Sequence, residues 1–372
     1  MAAMNLGSNA RKQRATFNTL SVAEVRPLTD SSVEVTFAIP EELAGAYDYA
    51  AGQYLALRAH FDGEEVRRSY SICRPPRPDR ISVAVKRDLG GLFSNWVNDN
   101  LKAGDELDVM TPQGTFTSNL KDLEGKRVVG VAAGSGITPV ITMANRVLSM
   151  SDTATFDLVY TNRSSLDVMF VEELADLKDR YPRRFALHHV LSREQRAAPI
   201  MSGRLDEEKL RTIFTAIVPY DSIDEWVLCG PFELVQTTRD LLSELGVEEE
   251  HVRFELFSTG EPGTQAPRAR NIEIQEGEKT FTIDFTLDGT SGSVDSPVSA
   301  NETILNAALR VRSDVPFACA GGVCGTCRAR VIDGSVNMVE NYALEKDEVE
   351  RGYILTCQAH PTSDRVVVDY DA

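Results

Sequence analysis

The strongest constraint on the fold is a run of cysteines, Cys319-Ala320-Gly321-Gly322-Val323-Cys324-Gly325-Thr326-Cys327, answered by Cys357 after 29 intervening residues. The spacing C-x4-C-x2-C with a distant fourth Cys is the plant-type arrangement for holding a 2Fe–2S cluster on four thiolates. The residues between the ligands are small. A loop that wraps a cluster brings backbone N–H groups close to sulfur, and glycine permits the unusual φ values this requires. A structural zinc site is the first alternative, but such sites show two C-x2-C-like pairs, and this chain has one. A disulfide framework is the second, disfavoured in a reducing compartment. Cys73 and Cys229 fall in other segments and are not cluster ligands.

At 372 residues the chain exceeds one ordinary core, so two or three domains are expected, and 42% hydrophobic residues suffice to fill each. No run approaches the ~18 apolar residues of a membrane span. The stretch 1–15 carries Arg11, Lys12 and Arg14 with no apolar segment behind them, and reads as a disordered tail, not an export signal. Together with thiolates that must stay reduced, this points to the cytoplasm. A formal charge of −17 argues against nucleic-acid binding, which needs clustered Lys and Arg. Residues 271–372 hold 17 acidic against 8 basic side chains. Such a surface steers a basic partner protein or merely keeps the chain soluble, and both readings stand.

Residues 16–120 read as all-β, with β-rich runs at 19–25, 32–38, 53–59, 68–72, 81–86 and 106–110 separated by turn signals. Short strands at this spacing predict an antiparallel β-barrel, interrupted by one helix at 93–101. Residues 121–257 change period. Strands at 127–132, 156–160, 185–191, 226–228 and 252–256 alternate with helices at 139–149, 169–180, 206–217 and 232–245. The first of these helices has Thr138 as N-cap and Pro139 at its first position. Strict β–α alternation predicts a parallel sheet with helices on both faces. Residues 258–270 carry Gly260, Pro262, Gly263 and Pro267 without apolar periodicity, and read as a linker. From 271 to 372 a small α+β unit is expected: strands at 271–274, 279–287 and 365–370, and a helix at 301–311 capped by Asn301.

Two further motifs carry chemistry. Arg68-Ser69-Tyr70-Ser71 ends a strand of the barrel and offers a phosphate partner in Arg68, a stacking ring in Tyr70 and a hydroxyl in Ser71, all of use to a flavin. Twenty residues on, Gly90-Gly91-Leu92-Phe93-Ser94 opens a helix whose N–H groups make an anion site, with Lys86 and Arg87 just before it. The bland alternative is an ordinary edge-strand Arg and Tyr. Ala133-Gly134-Ser135-Gly136-Ile137-Thr138-Pro139 then links the first strand and helix of the parallel unit, where a Gly-rich turn cradles a pyrophosphate. It is not G-x-G-x-x-G, and a simple tight turn is its alternative. Cys229-Gly230-Pro231 falls at a carboxyl end of the same sheet, where ligands of open α/β sheets bind; a buried core cysteine is the other reading.

In this order the motifs resemble the ferredoxin–NADP reductase superfamily fused to a plant-type 2Fe–2S ferredoxin of β-grasp fold. Within that superfamily the chain resembles the reductase subunits of phenylacetyl-CoA epoxidases. The similarity is carried by Gly63–Arg74, Tyr160–Arg163, Glu172–Pro182 and Gly352–Ala359. The resemblance implies FAD on Arg68, Tyr70 and Ser71, with Gly91 and Ser94 near its pyrophosphate and Val85 and Lys86 alongside. It implies nicotinamide-cofactor phosphates at Gly134, Gly136 and Thr138, and Cys229 and Gly230 beside the nicotinamide. Ser71, Cys229 and Glu255 would act in catalysis. Phe257 stands where plant-type reductases end in Tyr, and is read as either a stacking ring or a core residue. Ser192-Arg193, with Arg163, resembles the family's 2′-phosphate site and favours NADPH over NADH; solvated surface arginines are the alternative.

The implied activity is an NADPH-dependent reductase that passes electrons through FAD and the 2Fe–2S cluster to a separate oxygenase component, a multi-subunit diiron enzyme of phenylacetate degradation. A ring- or steroid-hydroxylating oxygenase is the competing partner, and a redox sensor without turnover the competing class. No ligand set for oxygen activation is visible in the sequence. Of its five His, the adjacent His188 and His189 would point to opposite faces of a strand.

Overall fold

The computed structural model describes residues 15–257, 272, 274, 275, 277–312, 314–317, 319–344 and 346–372. The expected tail, Ala15 apart, and the expected linker lie outside these residues. So do residues 271 and 273 of the expected strand at 271–274, whose Ile272 and Ile274 carry no strand pairing. The chain forms two compact units that divide between residues 260 and 261.

The first unit opens with β1 (Phe17–Thr29), β2 (Ser32–Ala38), β3 (Tyr54–Phe61), β4 (Glu64–Ser71), β5 (Arg80–Lys86), the helix α1 (Leu92–Asn100) and β6 (Glu106–Met110). The strands run antiparallel in the order β4-β3-β6-β1-β2-β5. A bridge between Ile72 and Val83 joins the two ends and closes the barrel. Alternation fills its interior: Val33, Val35 and Phe37 of β2 meet Leu55, Leu57, Val83, Val85 and Val109. Each such side chain, fully buried, stabilises the barrel by about 1.5–3 kcal/mol.

Next come β7 (Arg127–Ala133), α2 (Ile137–Met150), β8 (Thr155–Asn162), α3 (Val171–Arg180), β9 (Phe185–Leu191), α4 (Glu207–Ala216), β10 (Glu225–Gly230), α5 (Phe232–Glu244) and β11 (Val252–Leu256). All five strands are parallel, in the order β11-β10-β7-β8-β9. After β9 the chain crosses back to the other side of β7. The strand order therefore reverses between β7 and β10, the place where open α/β sheets leave a crevice for ligands. The helix α2 begins at Ile137 with Gly136 as its N-cap, so Thr138 is not the cap. The reason is local: residues 134–136 already form a 3₁₀ turn that runs straight into the helix.

The second unit contains β12 (Thr280–Leu287), β13 (Thr290–Pro297), α6 (Ile304–Leu309), β14 (Arg328–Asp333), β15 (Val336–Met338), α7 (Lys346–Glu350), β16 (Tyr353–Leu355), β17 (Ala359–Pro361) and β18 (Arg365–Asp369). One sheet runs β13-β12-β18-β14-β16, with β12 and β18 parallel, and β15 pairs with β17. Ile304, Leu305 and Ala308 of α6 join Ile283, Phe285, Val366 and Val368 in its core. The helix is shorter than 301–311 and is capped by Thr303, whose Oγ1 accepts from the Asn306 N–H at 3.3 Å. Asn301 instead takes a left-handed conformation at φ 46° that ends the preceding turn.

Candidate functional site

At the strand reversal two loops meet backbone to backbone. A Cβ added to Gly136 would lie 2.1 Å from the Cys229 carbonyl oxygen, so only glycine allows this approach. Gly134 takes φ +53°, and its carbonyl accepts a 2.9 Å hydrogen bond from the Tyr160 hydroxyl. The Thr138 hydroxyl is buried and donates to the Ser135 carbonyl at 3.0 Å. The turn is thus braced from behind, while no side chain caps the N-terminus of α2. That leaves N–H groups for an anion. From the barrel, the Lys86 ammonium comes within 3.5 Å of where a Gly134 Cβ would stand. Burial lowers the Lys86 pKa, Asp167 working against the shift and Arg163 with it.

On the barrel side, Arg68 and Tyr70 share one face of β4 and Ser71 takes the other. Arg68 is exposed, with Nη1 donating to the Arg67 carbonyl at 2.7 Å. The Tyr70 ring lies 6.1 Å from that of Phe93, and burial pushes its phenol pKa up. Gly91 caps α1, and the Ser94 Oγ accepts from the Asp88 N–H at 3.0 Å, which closes the Gly90-Gly91 turn. Val85 contributes its side chain to the barrel core and its carbonyl to Asn98 Nδ2 at 3.2 Å.

The two sides touch through Ser71, whose Oγ donates to Glu255 Oε2 at 3.0 Å. Glu255 stands in register with Cys229 across the β10–β11 pair. Cys229 is wholly buried, and burial with the neighbouring Glu255 pushes its thiol well above the ordinary range, so it is neutral at pH 7. Ser71, Glu255 and Cys229, which are 184 residues apart at the widest, therefore form one constellation. Phe257, just past β11, is 42% exposed, which removes the core reading for it.

At the neighbouring strand ends, backbone N–H groups of Ser192 and Arg193 donate to the carbonyls of Asn162 and Arg163 at 2.9 and 2.8 Å. Arg163 is committed to Asp167 at 3.0 Å. Glu194 accepts from the Ser165 N–H and hydroxyl at 2.6 and 2.9 Å, which ties the two loops together. Arg193 is exposed, and among the described residues no ion pair engages its guanidinium.

In the second unit Cys319, Cys324, Cys327 and Cys357 converge, with Cys319 hydrogen-bonded to Cys324 and Cys357 to Cys327. Backbone N–H groups already face the sulfurs: Cys319 N–H donates to Cys324 Sγ and Gly321 N–H to Cys319 Sγ, both at 3.4 Å. Ala320, Gly322 and Gly325 all have positive φ, between 57° and 77°. The segment bearing Cys357 is stapled to the loop on both sides. The Thr356 hydroxyl donates to the Cys327 carbonyl at 2.8 Å and Gln358 Nε2 to the Ala320 carbonyl at 2.9 Å. Neither residue was assigned a role from sequence, nor was Tyr160. Their signal was adjacency to a ligand or to the family-like passage Tyr160–Arg163.

Four convergent thiols ringed by donors fit a 2Fe–2S cluster, and the Gly134–Gly136 cradle under an uncapped helix fits a nucleotide phosphate. Comparison with known proteins agrees. The chain matches the family model of the oxidoreductase FAD-binding domain at residues 20–118, of the oxidoreductase NAD-binding domain at 131–240, and of the 2Fe-2S iron-sulfur cluster binding domain at 285–362. It is 41% identical to a component protein of the 1,2-phenylacetyl-CoA epoxidase of Escherichia coli K12, over 96% of this chain and 98% of that protein. The chain belongs to the ferredoxin–NADP reductase-like oxidoreductases fused to a 2Fe–2S ferredoxin. It is also 33% identical to the ferredoxin reductase component of 3-ketosteroid-9-alpha-monooxygenase from Rhodococcus rhodochrous, over 94% and 96% of the two chains. The solved phthalate dioxygenase reductase, described as a modular structure for electron transfer from pyridine nucleotides to [2Fe-2S], aligns with a TM-score of 0.56 at 25% identity, over 95% of this chain and 98% of that one. This oxidoreductase therefore takes FAD, a nicotinamide nucleotide and a 2Fe–2S cluster. Among the described residues no helix is long and apolar enough to cross a membrane.

Proposed function

We propose that this oxidoreductase draws electrons from NADPH and delivers them, through FAD and the cluster, to the separate oxygenase component of a phenylacetyl-CoA epoxidase, in the cytoplasm where its thiolates stay reduced. The observation that carries this reading is the full-length 41% identity to a component of that enzyme. We assign residues 16–120 to FAD, 121–257 to the nucleotide, 258–270 to a linker and 271–372 to the ferredoxin domain.

When bound, the flavin accepts two electrons together and gives them up singly to the one-electron cluster. The chain supplies the order of the relay. Arg68, Tyr70, Gly91 and Ser94 would hold the FAD, with Tyr70 stacked on the ring and Ser71 presenting a hydroxyl whose orientation Glu255 fixes. Gly134, Gly136 and the N-terminus of α2 would hold the nucleotide phosphates, aided by Lys86. Cys229, neutral and rigidly packed, would position the nicotinamide without competing as a nucleophile. Cys319, Cys324, Cys327 and Cys357 would bind the cluster in a loop already furnished with donors.

For the nucleotide, Arg193 is the residue that favours NADPH, since a 2′-phosphate gains from an exposed guanidinium that, among the described residues, pairs with no carboxylate. Arg193→Ala is expected to raise the Kd for NADPH about 10–100-fold, the value of one or two charge-assisted hydrogen bonds, and to leave NADH binding unchanged. Equal losses for both nucleotides in a fluorescence titration remove that role. The partner is tested by reconstituting NADPH-dependent epoxidation of phenylacetyl-CoA with purified oxygenase subunits. No product above a reductase-free control, with turnover on a steroid oxygenase instead, moves the assignment to the runner-up.

A further inference from the structure

Four charges close a ring where the barrel faces the first turn of α3. Arg74 Nη2 lies 2.6 Å from both Glu34 Oε2 and Glu173 Oε1. Arg26 Nη2 lies 2.8 Å from the same Glu34 oxygen and also pairs with Glu173 Oε1. Signs alternate all the way round. Arg26 and Glu34 are cross-strand partners on β1 and β2, Arg74 follows β4, and Glu173 alone comes from the parallel-sheet side. The Glu34 side chain is only 5% exposed, so removing either arginine would leave a buried carboxylate short of a partner.

A second observation marks the same spot. Phe170, the N-cap of α3, has φ +59°, a left-handed conformation that bulky residues rarely adopt. It is buried, and the Arg74 guanidinium carbon stands 5.5 Å from the centre of its ring. Backbone strain of this kind persists only where surrounding contacts over-determine it. Arg74 is thus gripped by two carboxylates and a ring, and both Phe170 and Glu173 belong to the opposite side of the junction. Arg74 and Glu173 lie in passages that carry the family resemblance, yet neither touches the Ser71–Glu255–Cys229 constellation. That constellation and the Lys86–Gly134 approach span the same junction and hold only at one angle between barrel and sheet.

We propose that the ring of Arg26, Glu34, Arg74 and Glu173 is a clamp that sets this angle, and that Arg74 and Glu173 are positioning residues for electron transfer from nicotinamide to flavin. The proposal rests on the function given above. An isolated exposed ion pair would do little. A closed, half-buried ring anchored on a strained turn behaves as a rigid joint, and misplacement of reacting groups by about 1 Å can cost ~100-fold in rate.

The test uses the full chain loaded with FAD and its cluster, mixed with NADPH in a stopped-flow spectrometer. Three quantities are read: NADPH affinity, the long-wavelength charge-transfer absorbance of stacked nicotinamide and flavin, and the rate of flavin bleaching. Glu173→Gln and Arg74→Met are each expected to lower the absorbance and the bleaching rate about tenfold, with NADPH affinity held within ~2-fold. The double variant is expected to be no worse than the poorer single, because both break one ring. A full charge-transfer band and wild-type bleaching in flavin-replete Glu173→Gln overturn the clamp, as do losses that multiply in the double variant. Should Glu173→Gln fail to retain FAD, Glu173→Asp, which withdraws the same charge by one methylene, is read by the same two outcomes. Failure of the clamp leaves wild-type bleaching intact. Absence of bleaching in the wild type overturns the reaction itself, and the clamp with it.

Discussion

Cys324 and Cys229 put the same side chain to opposite uses. In the ferredoxin unit, a hydrogen bond from Cys319, with another from Thr326, holds the Cys324 thiol down to about 6. At the strand reversal, burial and Glu255 push the Cys229 thiol up. The first is prepared to be a thiolate ligand and the second is kept neutral. They also differ in how they are made. The donors to Cys324 come from its own nonapeptide, whereas the environment of Cys229 is assembled by strand register, with Glu255 supplied by β11 and the Gly136 backbone by the turn after β7.

The comparison can be broken at four strengths. The largest effect is expected of Cys324→Ser, which should abolish the visible absorbance of the cluster yet leave NADPH oxidation with a flavin-reactive acceptor unchanged. A retained cluster spectrum ends the ligand assignment. Cys229→Ala should do the reverse, slowing flavin bleaching about 10–100-fold by loosening the nicotinamide while the cluster spectrum stays as in wild type. Next, Gly136→Ala places a methyl against the Cys229 carbonyl and should destabilise the first unit by about 1–3 kcal/mol, read by chemical denaturation. An unchanged midpoint would mean the loops separate easily. The smallest effect is expected of Gln358→Ala, which removes one staple of the cluster loop at about 1 kcal/mol and should shorten the lifetime of the cluster in air. An unaltered lifetime would leave Thr356 as the staple that matters.

The same contrast explains what could be read from the sequence. The cysteine constellation was legible because three of its members lie in one loop and their spacing is itself the chemistry. The alternation of strands and helices from Arg127 to Leu256 was legible because the central strands β7 and β10 are buried and each helix is amphipathic. What depends on distant partners was not. β13 (Thr290–Pro297) lacks apolar alternation, and its strand form comes from pairing with β12 along its whole length. The three-residue strands β15, β16 and β17 are too short to show a period. Asn301 and Thr138 are both good caps by type. The helices started elsewhere because a preceding 3₁₀ turn had already fixed the backbone. Nothing local in the sequence groups Arg26, Arg74 and Glu173, because Glu173 meets the two arginines across 99 and 147 residues of chain.

The long gap before Cys357 has a consequence for how the second unit stays folded. A cluster held by the four sulfurs would bind Cys319–Cys327 to a segment some 30 residues downstream, and the metal centre would act as a crosslink. Closing a loop of that length removes about 3–4 kcal/mol of freedom from the unfolded chain if it acts as a disulfide would. The visible absorbance of a bound cluster would then gauge the folding of this unit as well as its redox state. Stripping the cluster should lower the melting temperature of this unit and leave that of the flavin and nucleotide unit where it was.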